Sequence, residues 1–257
     1  PAAPLGPGQA GFGLLLGFGL GHGFARSVKP SDDPSTSQSI GDAAAAEALA
    51  HVGEQGGSLA GLRTVWDSRQ RAVWAEDISI YRLAVGSALK LGEAFLAYDI
   101  AREGLSAFVG DVRLLQLQAL ALARTGATQR ANAILVELRE QGQDDEETFG
   151  LLARTHKDFW TIAPTEEERE HHLRRSLEDY LKGYECSGGY YTGINAASMS
   201  LVAGETETAR RIAAEVRVIC EEGLAKGGSD SPESYWLLAT AAEAALVSGD
   251  MDSARLN

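Results

Sequence analysis

The chain has 257 residues, 44% of them apolar and only 7% aromatic, and its formal net charge is −13. A field of that sign repels phosphate backbones and anionic lipid, so neither nucleic-acid binding through bulk charge nor a membrane partner is expected, a local basic face being still compatible with it. Alanine and leucine dominate and β-branched residues are sparse, which favours helices over strands. Cys186 and Cys220 stand outside any CxxC pair, and no His/Cys spacing suggests zinc. Both are read as reduced core thiols of a cytoplasmic protein, with no cofactor implied.

Residues 1–40 differ from the rest. Gly11 to Phe24 is glycine-rich and apolar, followed by Lys29-Pro30 and a Ser/Asp/Pro/Thr stretch. At about 14 residues the apolar part is too short to span a bilayer, and no basic segment precedes it as in a signal peptide. Gly6, Gly8 and Gly11 match GxGxxG, but without the flanking strand and helix that give the motif meaning. The segment reads as a flexible linker or a remnant of a preceding domain, with a short membrane-associating segment as the alternative, and 41–257 reads as one helical repeat domain. A start at Pro1 and an end at Asn257 within a helical pattern read as a piece of a longer polypeptide.

Residues 42–53 and 58–75 are expected to form an irregular first helix pair, N-capped by Asp42 and Ser58. From residue 78 the chain repeats. Gly92, Gly126, Gly204 and Gly249 each follow an apolar helical run. Five residues after them stand Ala97, Ala131, Ala209 and Ala254; seven before stand Val85, Ala119, Ala197 and Ala242. Gly92 and Gly126 are 34 residues apart, the tetratricopeptide period. Each unit would be helix A, a turn at the glycine, and helix B, with small residues allowing close approach. One pair cannot bury its own apolar stripe, so neighbours must stack.

The units fall at 78–111, 112–145, 146–187, 188–231 and 232–257. In the third, Ala153 holds the small position and helix A runs from Glu146 to Phe159. Trp160 to Pro164 replaces the turn glycine, and helix B opens at a capping box, Thr165-Glu-Glu-Glu, ending near Tyr184. The acidic run Gln143 to Glu147 serves the start of the next helix. The fifth unit stops as its helix B begins at Asp252, leaving the face of Leu237, Leu238, Ala241 and Leu246 under-covered. The expected fold is all-α, a tetratricopeptide-like α-solenoid of stacked antiparallel helix pairs.

Two stretches carry a narrower resemblance. Thr148 to Asp158 (TFGLLARTHKD) and Gly189 to Ala197 (GYYTGINAA), with Tyr235 to Thr240 (YWLLAT), are similar to the TRAF-binding region of the apoptosis signal-regulating kinases and its bacterial relatives. The resemblance covers roughly residues 40–257. It implies a regulatory scaffold that acts by binding, or a sensor joined to an effector domain. No Gly-rich loop with strand and lysine, no HRD and no DFG is present, so kinase activity does not carry over.

In such a repeat the helix A residues line a shared inner surface. The inward positions yield Arg82 and Lys90, Arg113 and Arg124, then Glu147, Arg154, Lys157 and Asp158, then Tyr191, Trp236 and Glu243. Six cations on one face of an acidic chain would focus on an anionic partner: an acidic peptide or protein, or an anionic, nucleotide-like small molecule. Tyr191 and Trp236 could stack on a flat group, with Asn195 beside Tyr191 either as a ligand contact or as an inter-helix hydrogen bond. A deep pocket around Arg154, Lys157, Tyr191 and Asn195 would favour sensing, and an open groove would favour peptide binding.

His171-His172, with Glu167 and Glu168, reads as a solvated helix face rather than a metal site. Lys157-Asp158 reads as an exposed ion pair rather than an acid/base couple. GxSxG is absent, and no catalytic residues are expected.

Overall fold

In a computed structural model the described residues are 40–227 and 233–250. The expectations for the segment before residue 40, for Ala254 and for a helix opening at Asp252 lie outside them. The described residues form twelve helices and no strand. No described helix is long and apolar enough to cross a membrane. They fall in two compact units that divide after Ile162.

The first unit opens with α1 (Ile40–Gln55), α2 (Leu59–Ser68) and the short α3 (Arg71–Trp74). Ser58 caps α2 as expected, its side chain accepting from the Gly61 N–H at 3.1 Å. Two expectations fail here. Asp42 lies inside α1 rather than ahead of it, because the helical run already begins at Ile40. And 58–75 is not one helix: Arg69 turns to extended backbone. Its guanidinium reaches back to the Trp66 carbonyl, lies 3.3 Å from the Trp66 ring centroid, and forks onto Glu103. Bonding its own helix end and a distant acid together removes Arg69 from the helix. These bonds to Arg69 hold the Glu103 carboxyl below the ordinary range.

Then come two regular pairs, α4 (Ile78–Lys90) with α5 (Ala94–Ala107) and α6 (Val112–Arg124) with α7 (Thr128–Glu140), and a single helix α8 (Glu146–Ile162). The turn glycines Gly92 and Gly126 have φ of 80° and 83°, the left-handed region where a Cβ is penalised. Val85, Ala97, Ala119, Ala131 and Ala153 are fully buried. Each B helix packs on the next A helix, and A helices touch in sequence, α4 on α6 and α6 on α8. The third helix A runs three residues past Phe159, because only Pro164 and the restriction on the residue before it stop the helix.

The second unit holds α9 (Glu166–Ser187), α10 (Tyr190–Val202), α11 (Thr206–Gly227) and α12 (Ser234–Ser248). Thr165 caps α9, accepting from the Glu168 N–H at 3.2 Å. The helix continues beyond Tyr184 until Gly188, whose φ of 65° ends it. Ala197 and Ala209 are fully buried, and α10 packs on α9, α11 and α12. Leu237 and Ala241 of α12 are buried, whereas Leu238 and Leu246 are half-buried. Cys220 is a core thiol, pushed up to about 12 by burial. Cys186 corrects the expectation of two core thiols: it is exposed near the end of α9, where the chain turns out at Gly188.

Gly104 marks the closest approach. A Cβ there would lie 2.9 Å from the Tyr81 ring and 3.0 Å from Leu114, whereas one on Gly86 would meet nothing within 4 Å. Gly104→Ala should therefore lose about 1–3 kcal/mol by overpacking. Gly86→Ala should gain about 0.5–1 kcal/mol, since alanine is the better helix former. Urea denaturation of the two variants checks both signs.

Candidate binding surface on the A helices

The structure gives most of the nominated cations of the first unit a partner within the fold. Arg82 on α4 forks onto the carboxylate of Asp111. Asp111 also N-caps α6, accepting from the Leu114 N–H at 2.8 Å. One repeat later the same geometry returns with different chemistry. Gln116 on α6 donates to both oxygens of Asp145 at 3.1 and 3.3 Å and to the Thr148 hydroxyl at 2.9 Å. Asp145 in turn caps α8 through the Thr148 N–H at 2.9 Å, the structural role expected of the acidic run.

Arg113 pairs with Glu147 at 3.2 Å, two residues one repeat apart on adjoining A helices. Burial lowers the Arg113 pKa and raises that of Glu147, and the attraction between the two opposes both shifts. Arg124 donates to the Leu89 carbonyl at 2.5 Å, bridging α6 back to α4. Lys90 is exposed.

The end of α8 is different in kind. Lys157 is only 8% exposed, which corrects the expectation of an exposed ion pair with Asp158; a lysine stem lies readily along apolar surface. Thr155 is buried and receives the Asn132 amide at 2.8 Å, and His156 is buried with its ring edge-on to Phe159. The Nε of Arg154 is buried and has no hydrogen-bond partner. Burial raises the Asp158 carboxyl above its ordinary range, against the pull of Arg154 and Lys157. The side chains of Arg154, Lys157 and Asp158 thus form a partly desolvated group of charges.

In the second unit Tyr191 stands edge-on to Tyr180 with ring centroids 6.4 Å apart. Asn195 is 7% exposed and donates to the Tyr191 carbonyl at 2.9 Å, a bond within α10. Trp236 packs against Tyr235, and Glu243 accepts from Ser198 at 2.8 Å, linking α12 to α10. Arg154 and Lys157 belong to the first unit, and Tyr191 and Asn195 to the second. His171 is exposed, on a face with the Glu170–Arg174 pair at 2.6 Å. Among the described residues no group of His, Cys, Asp and Glu is placed to hold a metal ion.

Residues 88–200 match the family described as Tetratricopeptide Repeats-Sensor, TPR-S. A thermophilic TPR protein of Thermus thermophilus is similar in structure, with TM-score 0.56 at 16% identity, over 69% of this chain and 86% of that one. The chain has the tetratricopeptide-repeat fold. Structural likeness extends to Pseudomonas aeruginosa pilF, with TM-score 0.53 at 16% identity over 84% and 87% of the two chains. It extends also to the human IFIT1 dimer with m7Gppp-AAAA, with TM-score 0.52 at 12% identity over 84% and 62%. No curated protein matches the sequence.

What sequence reasoning missed was the partners of the tetratricopeptide A-helix cations. The signal was present: Asp111 and Asp145 recur at the repeat interval, each 29 residues after the side chain it receives. Gln116→Leu should cost about 1–3 kcal/mol by leaving Asp145 and Thr148 short of a donor. Gln116→Glu should cost more at pH 7, since two carboxylates then adjoin and one has a folded pKa raised above its unfolded value. That extra loss should shrink as pH falls through the raised value, which denaturation at pH 7 and pH 4 would show.

Proposed function

We propose that this chain is a non-catalytic regulatory scaffold that binds an anionic partner on its A-helix surface and acts in the cytoplasm. The partner is an acidic peptide or protein segment. The observation that carries the reading is the group at the end of α8. Arg154 has a buried Nε without a hydrogen-bond partner, Lys157 follows three residues later, and Asp158 is an acid whose ionised form burial disfavours. Such an arrangement favours exchange of Asp158 for a partner's carboxylate or phosphate, because charges interact strongly where water is excluded. Lys90, which is exposed, extends the cationic character along the row, whereas Arg82, Arg113 and Arg124 act chiefly to fix adjoining A helices. Tyr191, Asn195 and Trp236 are assigned to partner contact in the second unit.

A second reading, a sensor for an anionic nucleotide-like small molecule signalling to a linked effector domain, is supported by the TPR-S match. Its range, 88–200, takes in Arg154, Lys157, Tyr191 and Asn195. The resemblance of 148–158 and 189–197 to the TRAF-binding region of the apoptosis signal-regulating kinases supports regulation by binding under either reading.

Thermal-shift measurements with acidic peptides and with ATP, ADP and AMP separate the two. A ligand at 100 times its dissociation constant adds about 2.7 kcal/mol of stability. The expected result is stabilisation by an acidic peptide that Arg154→Ala and Lys157→Ala each remove. Stabilisation by nucleotides alone moves the assignment to the sensor, and peptide stabilisation that both substitutions leave undiminished rejects this surface.

A further inference from the structure

A cavity of about 250 Å³ opens on the first unit among α5, α6 and α7, lined by Tyr98, Gln118, Leu122, Arg130, Ala133 and Ile134. None of these residues belongs to the cationic row on the A helices. Leu122 is buried and Ile134 half-buried, giving an apolar floor. Arg130 at the rim is exposed, lies 5.7 Å from the Tyr98 ring centroid and donates to the Tyr98 hydroxyl at 3.1 Å. Among the described residues it has no carboxylate partner, although acids outnumber bases 36 to 23 in the chain.

We propose that this notch is a docking site for a short peptide segment of a protein partner, in which an aliphatic or aromatic side chain stands next to a carboxylate. Size and charge together select that occupant. The volume lies below the roughly 300–1,000 Å³ of pockets that enclose drug-sized ligands, so it suits one side chain rather than a nucleotide. An apolar side chain would cover Leu122 and Ile134, displacing water from apolar surface. Arg130, pre-oriented by its contact with Tyr98, meets the carboxylate with a forked pair of donors. The Gln118 amide, with both a donor and an acceptor, can satisfy one peptide group of an extended segment. The resulting contact is small, and its affinity belongs to the weak, transient class.

The test is calorimetric titration of the full chain with N-acetylated tetrapeptides that pair one glutamate with leucine, isoleucine or phenylalanine, each with a free and an amidated C-terminus. Saturable binding with a dissociation constant between about 10 μM and 1 mM is expected for at least one member. Arg130→Glu should weaken it at least tenfold by reversing the rim charge, and Ala133→Phe should abolish it by filling the notch. Both positions are exposed, so folding is retained; Arg130→Gln serves as the milder variant, with an intermediate loss. Arg154→Ala should leave this binding unchanged, which separates it from the A-helix surface. Loss on amidation assigns the chain-end carboxylate, and persistence assigns the glutamate side chain; both support the site. Absence of saturation across the series, binding that survives Arg130→Glu and Ala133→Phe, or displacement by ATP overturns it.

Discussion

Two carboxylates, Asp111 and Asp145, determine how one repeat meets the next in the first unit. Each caps the A helix that follows it, and each receives a side chain from the A helix before it. Because one acid makes both bonds, the start of each A helix is tied to a fixed turn of its predecessor, and sliding one helix along the other breaks a cap and an inter-helix bond together. Arg82 fills the donor position in one repeat and Gln116 in the next, a forked ion pair replaced by an amide at the same place. Small residues do the complementary work. Val85, Ala97, Ala119 and Ala131 are fully buried where helices cross, so the polar bonds set register and the apolar contacts supply cohesion.

That division of labour decides what the A-helix cations can do. An arginine committed to an N-cap acid, like Arg82, or to a neighbouring glutamate, like Arg113, presents little charge to an incoming molecule. The third A helix breaks the pattern. At the position matching Arg82 and Gln116 it has Gly150, and at the position matching Lys90 and Arg124 it has an acid, Asp158. Instead three polar residues in its second half, Thr155, His156 and Lys157, are buried. The proposed binding surface falls at this departure from the repeat pattern.

The helix pairs were legible because their signals are local. Turn glycines with φ near 80°, small residues at fixed offsets and the Thr165 cap each leave a mark within a few positions. The departures have long-range causes. The break at Arg69 arises from Glu103, 34 residues away, and no pattern inside 58–75 announces it. Likewise the inward-facing positions identified Arg82 and Arg113 as sharing a face but not that the next repeat brings acids to meet them. Periodicity reports which residues share a face; it does not report what neutralises them. The notch at Arg130 escaped notice for a related reason, since its lining comes from three helices and no single one carries a motif.

A double-mutant cycle on Arg82 and Asp111, read by urea denaturation, tests the role of these acids most directly. Removing Asp111 alone mixes the loss of a helix cap with the loss of the inter-repeat pair, and the cycle cancels the cap. The account predicts a favourable coupling of about 0.5–1 kcal/mol, scaled for the partial exposure of Arg82 and reduced by salt. A coupling indistinguishable from zero at low ionic strength would contradict it and return Arg82 to the cations available to a partner.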